Sequence, residues 1–245
     1  MFSLKNHPFA VETFFESSLV LTYAVKKQEL QPLIPACLEL DTFKNEWAFV
    51  AIAIVKTRDL RPKGFPAFMG NDFILAGFRV FVRYTNLEGR RLRGLYILKS
   101  ETNNSKISFF GNIFTHYSYR TTDIEMTKGI NTLHIYSKNS FIEIEVSQGH
   151  SIIQLPIGSP FTDWREARRF TGPLPFTFTF KVESKEVLTI EGVRQHWEPI
   201  AVEVIKHQVG FVQSLGLRSV TLANAFLVEN IPYYWKKGKV EKWKG

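Results

Sequence analysis

The sequence contains very little cysteine. Cys37 is the single cysteine among 245 residues, so no internal disulfide can form and an oxidising compartment is not indicated. Long apolar runs are also missing, since the longest, Trp47 to Val55, is far too short to span a bilayer. The first residues carry no apolar core and no small-residue cleavage site of the kind found in secretion signals. We therefore predict a cytoplasmic protein without membrane attachment.

Motifs for several common kinds of catalysis are missing as well. The chain has no glycine-rich phosphate loop and no GxSxG nucleophile elbow. Its six histidines show neither HxxxH nor HxH spacing, and with no cysteine pair beside them this argues against a zinc site. Cys37 follows Pro35 and Ala36 in an apolar turn, where a thiol is expected to be buried and inert. We therefore predict no metal and no cofactor.

The charge balance is basic. The chain has 31 lysine and arginine residues against 23 acidic ones, a formal net charge of +8. Basic residues are spread along the chain except in the C-terminal tail, YYWKKGKVEKWKG, where lysines are interleaved with aromatic residues. Nucleic-acid binders combine charge with stacking rings in this way, but lysines on a solvated terminal strand also prevent edge-to-edge pairing. We favour the second interpretation and expect no nucleic-acid partner.

The hydrophobic pattern predicts many strands. Phenylalanine, at 22 residues, favours pleated, half-buried surfaces. Glu46 to Lys56 is predicted to be a long strand that is apolar on both faces. Phe73 to Tyr84 and Arg91 to Ser100 are predicted to pair as a hairpin, because Gly89 between them suits a tight turn. No repeat or linker interrupts the pattern, so we predict a single, mainly β domain over residues 1–245, either a barrel or a sandwich.

Two short helices and one long loop complete this prediction. Ser105 to Phe114 is predicted as a helix capped by Ser105, and Pro160 to Phe170 as a helix capped by Thr162. The segment RDLRPKGFPAFMGND contains two prolines and two glycines, which favour a loop. Long ordered loops are often the rims of functional sites, and the alternative is a plain connection between strands.

The densest group of polar and aromatic residues is GNIFTHYSYRTTDIE, from Gly111 to Glu125. Successive side chains of a strand point to opposite faces. One face would therefore carry Tyr117, Tyr119 and Thr121, and the other His116, Ser118 and Arg120. The spacing alone supports equally a set that lines an interior and a set of half-exposed strand residues.

Several segments, in their order along the chain, carry a resemblance to a known family. They are LTYAVKKQELQPLIPACLELDTFKNEWAFVAI, RDLRPKGFPAF, REARRFTGPLPFTFTF and HWEPIAVEV, which together extend over nearly the whole chain. In these segments the chain resembles the bacterial family called domain of unknown function 2071, a relative of acetoacetate decarboxylase. The resemblance implies a mainly antiparallel β-barrel with a few short flanking helices and an interior that holds a small ligand.

Acetoacetate decarboxylase itself carries a lysine motif that runs glycine, two residues, leucine, serine, a small residue, tyrosine, proline, lysine, lysine. The matching run here is GNIFTHYSYR, which places Tyr119 at the Schiff-base lysine and Arg120 at the neighbouring lysine. Tyrosine cannot form an imine, and arginine stays charged and can only bind or stabilise an anion. The resemblance therefore implies a related fold without Schiff-base decarboxylation.

The site residues that follow from this resemblance lie on or near the same stretch. Arg120 is expected to pair with a carboxylate or enolate oxygen, and Tyr119 to donate a hydrogen bond or act as a general acid. Glu101 is a candidate base. The residues expected to contact the substrate are Tyr117, His116 and Asn112.

The predicted rim of the pocket consists of the loop Arg61 to Asp72 and the segment Glu229 to Tyr234. The expected partner is a small organic acid, and the sequence is compatible with a homo-oligomer. If the protein is an enzyme, these residues imply lysine-independent lyase or hydrolase chemistry on that acid. The alternative is a non-catalytic protein, either a ligand sensor or a basic interaction module.

Overall fold

The structure is a computed structural model that describes residues 4–148 and 154–244. Within these ranges it is mainly β. The strands are β1 (Val11–Lys26), β2 (Glu39–Leu40), β3 (Trp47–Pro62), β4 (Asn71–Thr85), β5 (Arg91–Thr102), β6 (Tyr119–Thr121), β7 (Glu125–Lys128), β8 (Thr132–Ser137), β9 (Ile142–Ser147), β10 (Phe176–Lys181), β11 (Glu186–Arg194), β12 (Ile200–Ala201), β13 (Glu203–Val209), β14 (Thr221–Trp235) and β15 (Lys239–Lys242).

The described helices are short. They are α1 (Lys27–Leu30), α2 (Ser105–Phe114), α3 (Trp164–Thr171) and α4 (Gly210–Ser214), with single 3₁₀ turns at Leu4–Asn6, Gln31–Leu33 and Ala67–Met69. Across the described ranges, every helix is too short or too polar to cross a membrane.

Most strands belong to one large sheet. Along it, β14, β1, β3, β4 and β5 are antiparallel neighbours, whereas β10 pairs with β5 in parallel and then with β11 in antiparallel. At its far end β11 pairs with β14, through Gly192–Arg194 against Tyr233–Trp235. The pairings therefore lead back to a strand near their start, and the sheet curves around one of its own faces.

A second, four-stranded sheet of order β13-β9-β8-β7 covers the other face of the large sheet. Ile135 and Ile144 of the small sheet share one buried cluster with Ile52 and Phe78 of the large sheet. Burial of these side chains, at roughly 1.5–3 kcal/mol each, holds the two layers together. Two smaller clusters, which include residues of α3, pack against the enclosed face of the large sheet.

The elements follow the sequence pattern, with corrections at their ends. The strand predicted to end at Lys56 continues to Pro62, because Arg61 and Pro62 pair with the first residues of β1. Helix α2 has the predicted bounds, but its cap is Asn104, whose side chain accepts hydrogen bonds from two N–H groups of the first turn. Helix α3 is capped by Asp163 in place of Thr162.

Candidate functional site

A cavity of about 110 Å³ lies on the enclosed face of the large sheet. This volume holds several water molecules or one small organic molecule. Most of its wall is apolar, and the side chains that form this part include Phe15, Val55, Phe81, Leu95, Ile97 and Phe226. Among the described lining residues the charged side chains are two arginines, and the remaining polar groups are hydroxyls and indole N–H groups, which can fix the orientation of a bound molecule.

Arg79, on β4, is the first of these polar side chains. Its side chain is partly buried, and its Nε atom, which is fully buried, has no hydrogen-bond partner among the described residues. Burial lowers the pKa of the Arg79 guanidinium, while the nearby tyrosines Tyr233, Tyr117 and Tyr119 raise it. A guanidinium remains charged in proteins nonetheless. The cavity therefore contains a partly buried cation without a carboxylate partner within residues 4–148 and 154–244, an arrangement that is unfavourable unless an anion compensates the charge.

Arg194, at the end of β11, is a second arginine in the cavity wall. Its guanidinium carbon lies 4.7 Å from the ring centre of Trp197 and 5.8 Å from that of Tyr233. These contacts use the face of the guanidinium. Its N–H edge has no acceptor in the part of the chain that the structure describes. The pKa of Arg194 is lowered, first by burial and also by the charge of Arg79.

Three tyrosines also belong to the polar part of the cavity wall, which further includes Ser18, Ser100, Thr171, Thr177 and Trp197. Tyr117 shares a hydrogen bond of 2.6 Å with the hydroxyl of Thr177, and its ring centre is 6.2 Å from that of Tyr119. Tyr233 stacks on Phe15 at 4.6 Å. Burial raises the pKa of all three phenols, that of Tyr119 to about 12. They are therefore neutral at physiological pH and can donate hydrogen bonds to an anion.

Glycines make room for three of these side chains. A methyl group at Gly77 would lie 2.8 Å from Nη2 of Arg79, and one at Gly111 would lie 2.5 Å from the ring of Tyr119. At Gly192 a methyl group would overlap the hydroxyl of Tyr233. The backbone thus approaches each polar side chain more closely than any larger residue would allow, which fixes where these groups stand.

Asn112 holds Tyr119 in place from outside the cavity. Its side-chain Nδ2 donates to the carbonyl of Tyr119 at 2.9 Å, and its Oδ1 accepts from the N–H of Tyr119 at 2.8 Å. The preceding residue, Ser118, has a φ of 51°, which turns the chain out of helix α2 and into β6. Asn112 is itself exposed and does not line the cavity. Its observed contacts are those of a positioning residue.

The remaining predicted site residues lie elsewhere. Arg120 is exposed, because neighbouring residues of β6 point to opposite faces and Tyr119 occupies the inward one. Glu101 is buried away from the cavity, in an ion pair of 2.5 Å with Lys99. Burial, with a contribution from nearby lysines, lowers the pKa of His116, which also lies outside the cavity wall. Of the six predicted residues, the structure brings Tyr117 and Tyr119 to the cavity.

Among the described residues, the cavity wall carries few of the side chains that commonly act as nucleophiles, acids or bases in catalysis. The described residues that line it include no lysine, histidine, cysteine, aspartate or glutamate. Lys106 lies on the exposed side of α2, and Lys99 packs near the rings of Phe78 and Phe211 on the opposite face of the large sheet. No group of residues in the described ranges has the composition and geometry to hold a metal ion.

A second hollow, of about 300 Å³, lies at one end of β1 and β3 and differs in its electrostatics. Its charges are already paired, because Glu16 contacts both Lys56 and Arg58, and Lys128 contacts Glu229. An added anion would gain little there. The contrast makes the cavity around Arg79 the stronger candidate site.

Sequence reasoning missed the two arginines of the cavity. A signal for Arg79 exists: it shares one strand face with Phe73, Leu75, Gly77 and Phe81, so it interrupts a row that is otherwise apolar or small. Arg194 ends a similar row, after Leu188, Ile190 and Gly192 on one face of β11, and it reaches the cavity through the pairing of β11 with β14. The predicted rim is present in part, since Tyr233 of the segment 229–234 lines the cavity, whereas residues 61–72 do not.

Comparisons with known proteins agree on family and fold. The family model for domain of unknown function 2071, described as an uncharacterised conserved protein, matches residues 14–230. No curated protein matches the sequence. An acetoacetate decarboxylase from Legionella pneumophila has a similar structure, with a TM-score of 0.63, 13% identity, and coverage of 96% of this chain and 88% of that one.

Two further solved structures have the same architecture. An acetoacetate decarboxylase-like enzyme from Sphingomonas wittichii RW1 has a TM-score of 0.59 at 9% identity, over 98% of this chain and 95% of that one. The enduracididine biosynthesis enzyme MppR, complexed with pyruvate, has a TM-score of 0.59 at 8% identity, over 95% and 90%. At such identities the likeness is one of fold, and the chain has an acetoacetate decarboxylase-like fold.

Proposed function

This chain belongs to the family called domain of unknown function 2071, and we propose that it binds a small organic acid in the cavity around Arg79. One observation carries the proposal. Arg79 is a partly buried arginine in the cavity wall, its Nε atom is fully buried without a hydrogen-bond partner, and it has no carboxylate partner in the described ranges. Burying such a charge is unfavourable unless an anion compensates it.

A carboxylate suits this environment better than other small anions. The planar guanidinium presents N–H groups in the spacing that a carboxylate accepts in bidentate fashion. The neutral phenols of Tyr119 and Tyr233 supply further donors, and the apolar wall accommodates a short carbon chain. The volume of about 110 Å³ limits that chain to a few carbon atoms.

Structures of the same fold support this class of ligand. One of them is a complex of MppR with pyruvate, and others are named as acetoacetate decarboxylases. Pyruvate and acetoacetate are both small organic acids. We further propose that the large sheet forms a barrel and that the cavity is the interior of this barrel. The pairing of β11 with β14 joins the two ends of the series of strands from β14 to β11. Fold alone does not transfer chemistry, so the proposal rests on the residues of the site.

The proposed function is binding without Schiff-base chemistry. An imine requires a primary amine in the cavity, and the described wall has none. The phenol of Tyr119, with its pKa raised to about 12, is a weak proton donor at neutral pH and a good hydrogen-bond donor. These properties favour recognition of an acid, as in a ligand sensor, over general acid–base catalysis.

Calorimetric titration with pyruvate as the probe tests the binding proposal. We expect the wild-type protein to bind and Arg79→Gln to weaken binding at least about tenfold, since a hydrogen bond to a charged group contributes about 1.5–3 kcal/mol. Arg169→Gln, which removes an exposed arginine on α3, is the matched control and should bind as the wild type does. Equal binding by Arg79→Gln would remove the basis of the proposal.

Reduction with borohydride tests the absence of an imine. The protein is incubated with pyruvate or acetoacetate, treated with borohydride and analysed by intact mass spectrometry. We expect no added mass, because the cavity wall offers no amine in the described ranges. A stable adduct mapped to any lysine would contradict the second half of the proposal while leaving binding itself intact.

A further inference from the structure

The cavity contains two cations where recognition of one carboxylate needs one. Arg79 and Arg194 both line the same volume of about 110 Å³. Neither forms an ion pair with an acidic residue in the described parts of the chain. Elsewhere the protein does pair its buried charges: the carboxylate of Asp41, for example, contacts both Arg83 and Arg93. The two cavity arginines therefore differ from other buried charges of this protein in having no partner of opposite charge in the described ranges.

The two arginines share Tyr233 as a neighbour and differ in their other donors. Arg79 also lies in the neighbourhood of the phenols of Tyr117 and Tyr119. Arg194 packs against Trp197, whose indole Nε1 is buried and has no acceptor among the described residues. Beyond the shared Tyr233, each guanidinium thus has neutral donors of its own, which is an arrangement that suits two anion subsites.

The guanidinium groups of Arg79 and Arg194 also repel each other. Like charges in one low-dielectric cavity raise each other's free energy, and the charge of Arg79 contributes to the lowered pKa of Arg194. A single carboxylate neutralises one of the two cations and leaves the other unpaired. Two carboxylates on one short chain neutralise both, so the second group adds binding free energy beyond its own contacts.

We propose that the ligand is a short dicarboxylate, with one carboxylate on Arg79 and the other between Arg194 and the Trp197 indole N–H. This inference rests on the proposed function and names its ligand class. Tyr233, whose ring stands 5.8 Å from the guanidinium carbon of Arg194, contacts the middle of the ligand. The small cavity restricts the chain to about three to five carbons, because each added methylene must find space within the apolar wall.

Matched pairs of acids test this inference by calorimetry. Malonate, succinate and glutarate are compared with propionate, butyrate and valerate, so that each pair has the same number of carbon atoms. We expect at least one dicarboxylate to bind the wild-type protein tenfold or more tightly than its partner monocarboxylate. Arg194→Gln should reduce that preference to less than threefold, because the second carboxylate then has no cation to pair with. Arg79→Gln should weaken both classes.

A second variant covers the case in which Arg194→Gln fails to fold. Trp197→Phe keeps an aromatic ring beside Arg194 and removes only the N–H group, and it should reduce the dicarboxylate preference at least threefold. Circular dichroism establishes that each variant is folded before it is titrated. The outcomes separate the two proposals. Monocarboxylate binding without any preference for dicarboxylates overturns the inference and leaves the proposed function standing, whereas no binding of either class overturns both.

Discussion

Arg79 is the residue on which the proposed binding rests, and we expect it to lower the stability of the fold. Its side chain is partly buried beside apolar residues of β3 and β5, and its buried Nε atom has no partner in the described chain. Groups left in this condition destabilise a fold by about 1–3 kcal/mol. A folded protein tolerates such a residue where function requires it. The residue then lowers the stability of the fold and favours binding.

Replacement of Arg79 by methionine should therefore raise stability and abolish binding together. We expect the free energy of unfolding to increase by about 1–3 kcal/mol, because an apolar side chain of similar length removes the buried charge. For a chain of this size that corresponds to a rise of roughly 2–12 °C in Tm. Differential scanning calorimetry and a pyruvate titration measure the two effects.

Arg169→Met is the control for this experiment. It removes the same charge from the exposed face of α3, and its effect on stability should stay within about 0.5 kcal/mol. A loss of stability in Arg79→Met would mean that the guanidinium is satisfied within the folded chain, and the case for a bound anion would fail.

Because the cavity contains tyrosines with raised pKa values, we expect the free energy of unfolding to decrease at alkaline pH. The phenol of Tyr119 has its pKa raised by burial from 10.0 to about 12. Between these values the folded state retains a proton that the unfolded state has lost, so the free energy of unfolding falls as pH rises from about 10 to about 12. Urea unfolding at pH 9, 10 and 11 measures the slope.

Tyr119→Phe should make that slope shallower, since it removes one of the groups that retain a proton. Tyr136→Phe, at an exposed tyrosine of β8, serves as the control and should leave the slope unchanged. If both variants have the wild-type slope, the phenol of Tyr119 is not shielded from water as the structure indicates.

At the scale of elements, the short strand β6 depends on a side chain outside it. Asn112, near the end of α2, pairs with the N–H and the carbonyl of Tyr119 as a neighbouring strand would. This pairing and the close approach of Gly111 to the Tyr119 ring fix the direction of the phenol. The tyrosine is thus positioned by the turn between helix and strand.

Asn112→Ala should loosen that turn. Two hydrogen bonds are lost at an exposed position, so we expect a loss of about 1–2 kcal/mol in stability and weaker binding of pyruvate. Asn112→Asp keeps the acceptor for the Tyr119 N–H and should fall between the alanine variant and the wild type. If Asn112→Ala binds pyruvate with wild-type affinity, the orientation of Tyr119 does not contribute to recognition.

The strands and helices were largely predictable because their signals are local. The apolar run before Lys56, the hairpin around Gly89 and the bounds of α2 all follow from periodicity and turn residues. The cap of α2 was misplaced by one residue, since Asn104 and Ser105 are both good caps and only the geometry selects between them. Strand ends such as Pro62 depend on distant pairing and have no local signal.

At the scale of the whole molecule, the site is assembled from segments that are distant in sequence. The guanidinium of Arg194 reaches the cavity of Arg79 because β11 pairs with β14 and closes the path of strands. A strand pattern can indicate that an arginine lies on an apolar face, as it does for Arg79, but it does not show which distant strands meet around one cavity, and both arginines were overlooked. The sequence placed the functional charge at Arg120, one position away from an inward-facing residue, and strand alternation turns that side chain to the surface.

A crystal structure of the protein with a small organic acid, such as pyruvate or succinate, tests the central claim most directly. We expect a carboxylate in the cavity with an oxygen about 2.7–2.9 Å from a guanidinium nitrogen of Arg79, the usual length of such charge-assisted hydrogen bonds. A cavity that stays free of acid at millimolar concentrations, or an acid bound at Arg120 with Arg79 uninvolved, would contradict the account.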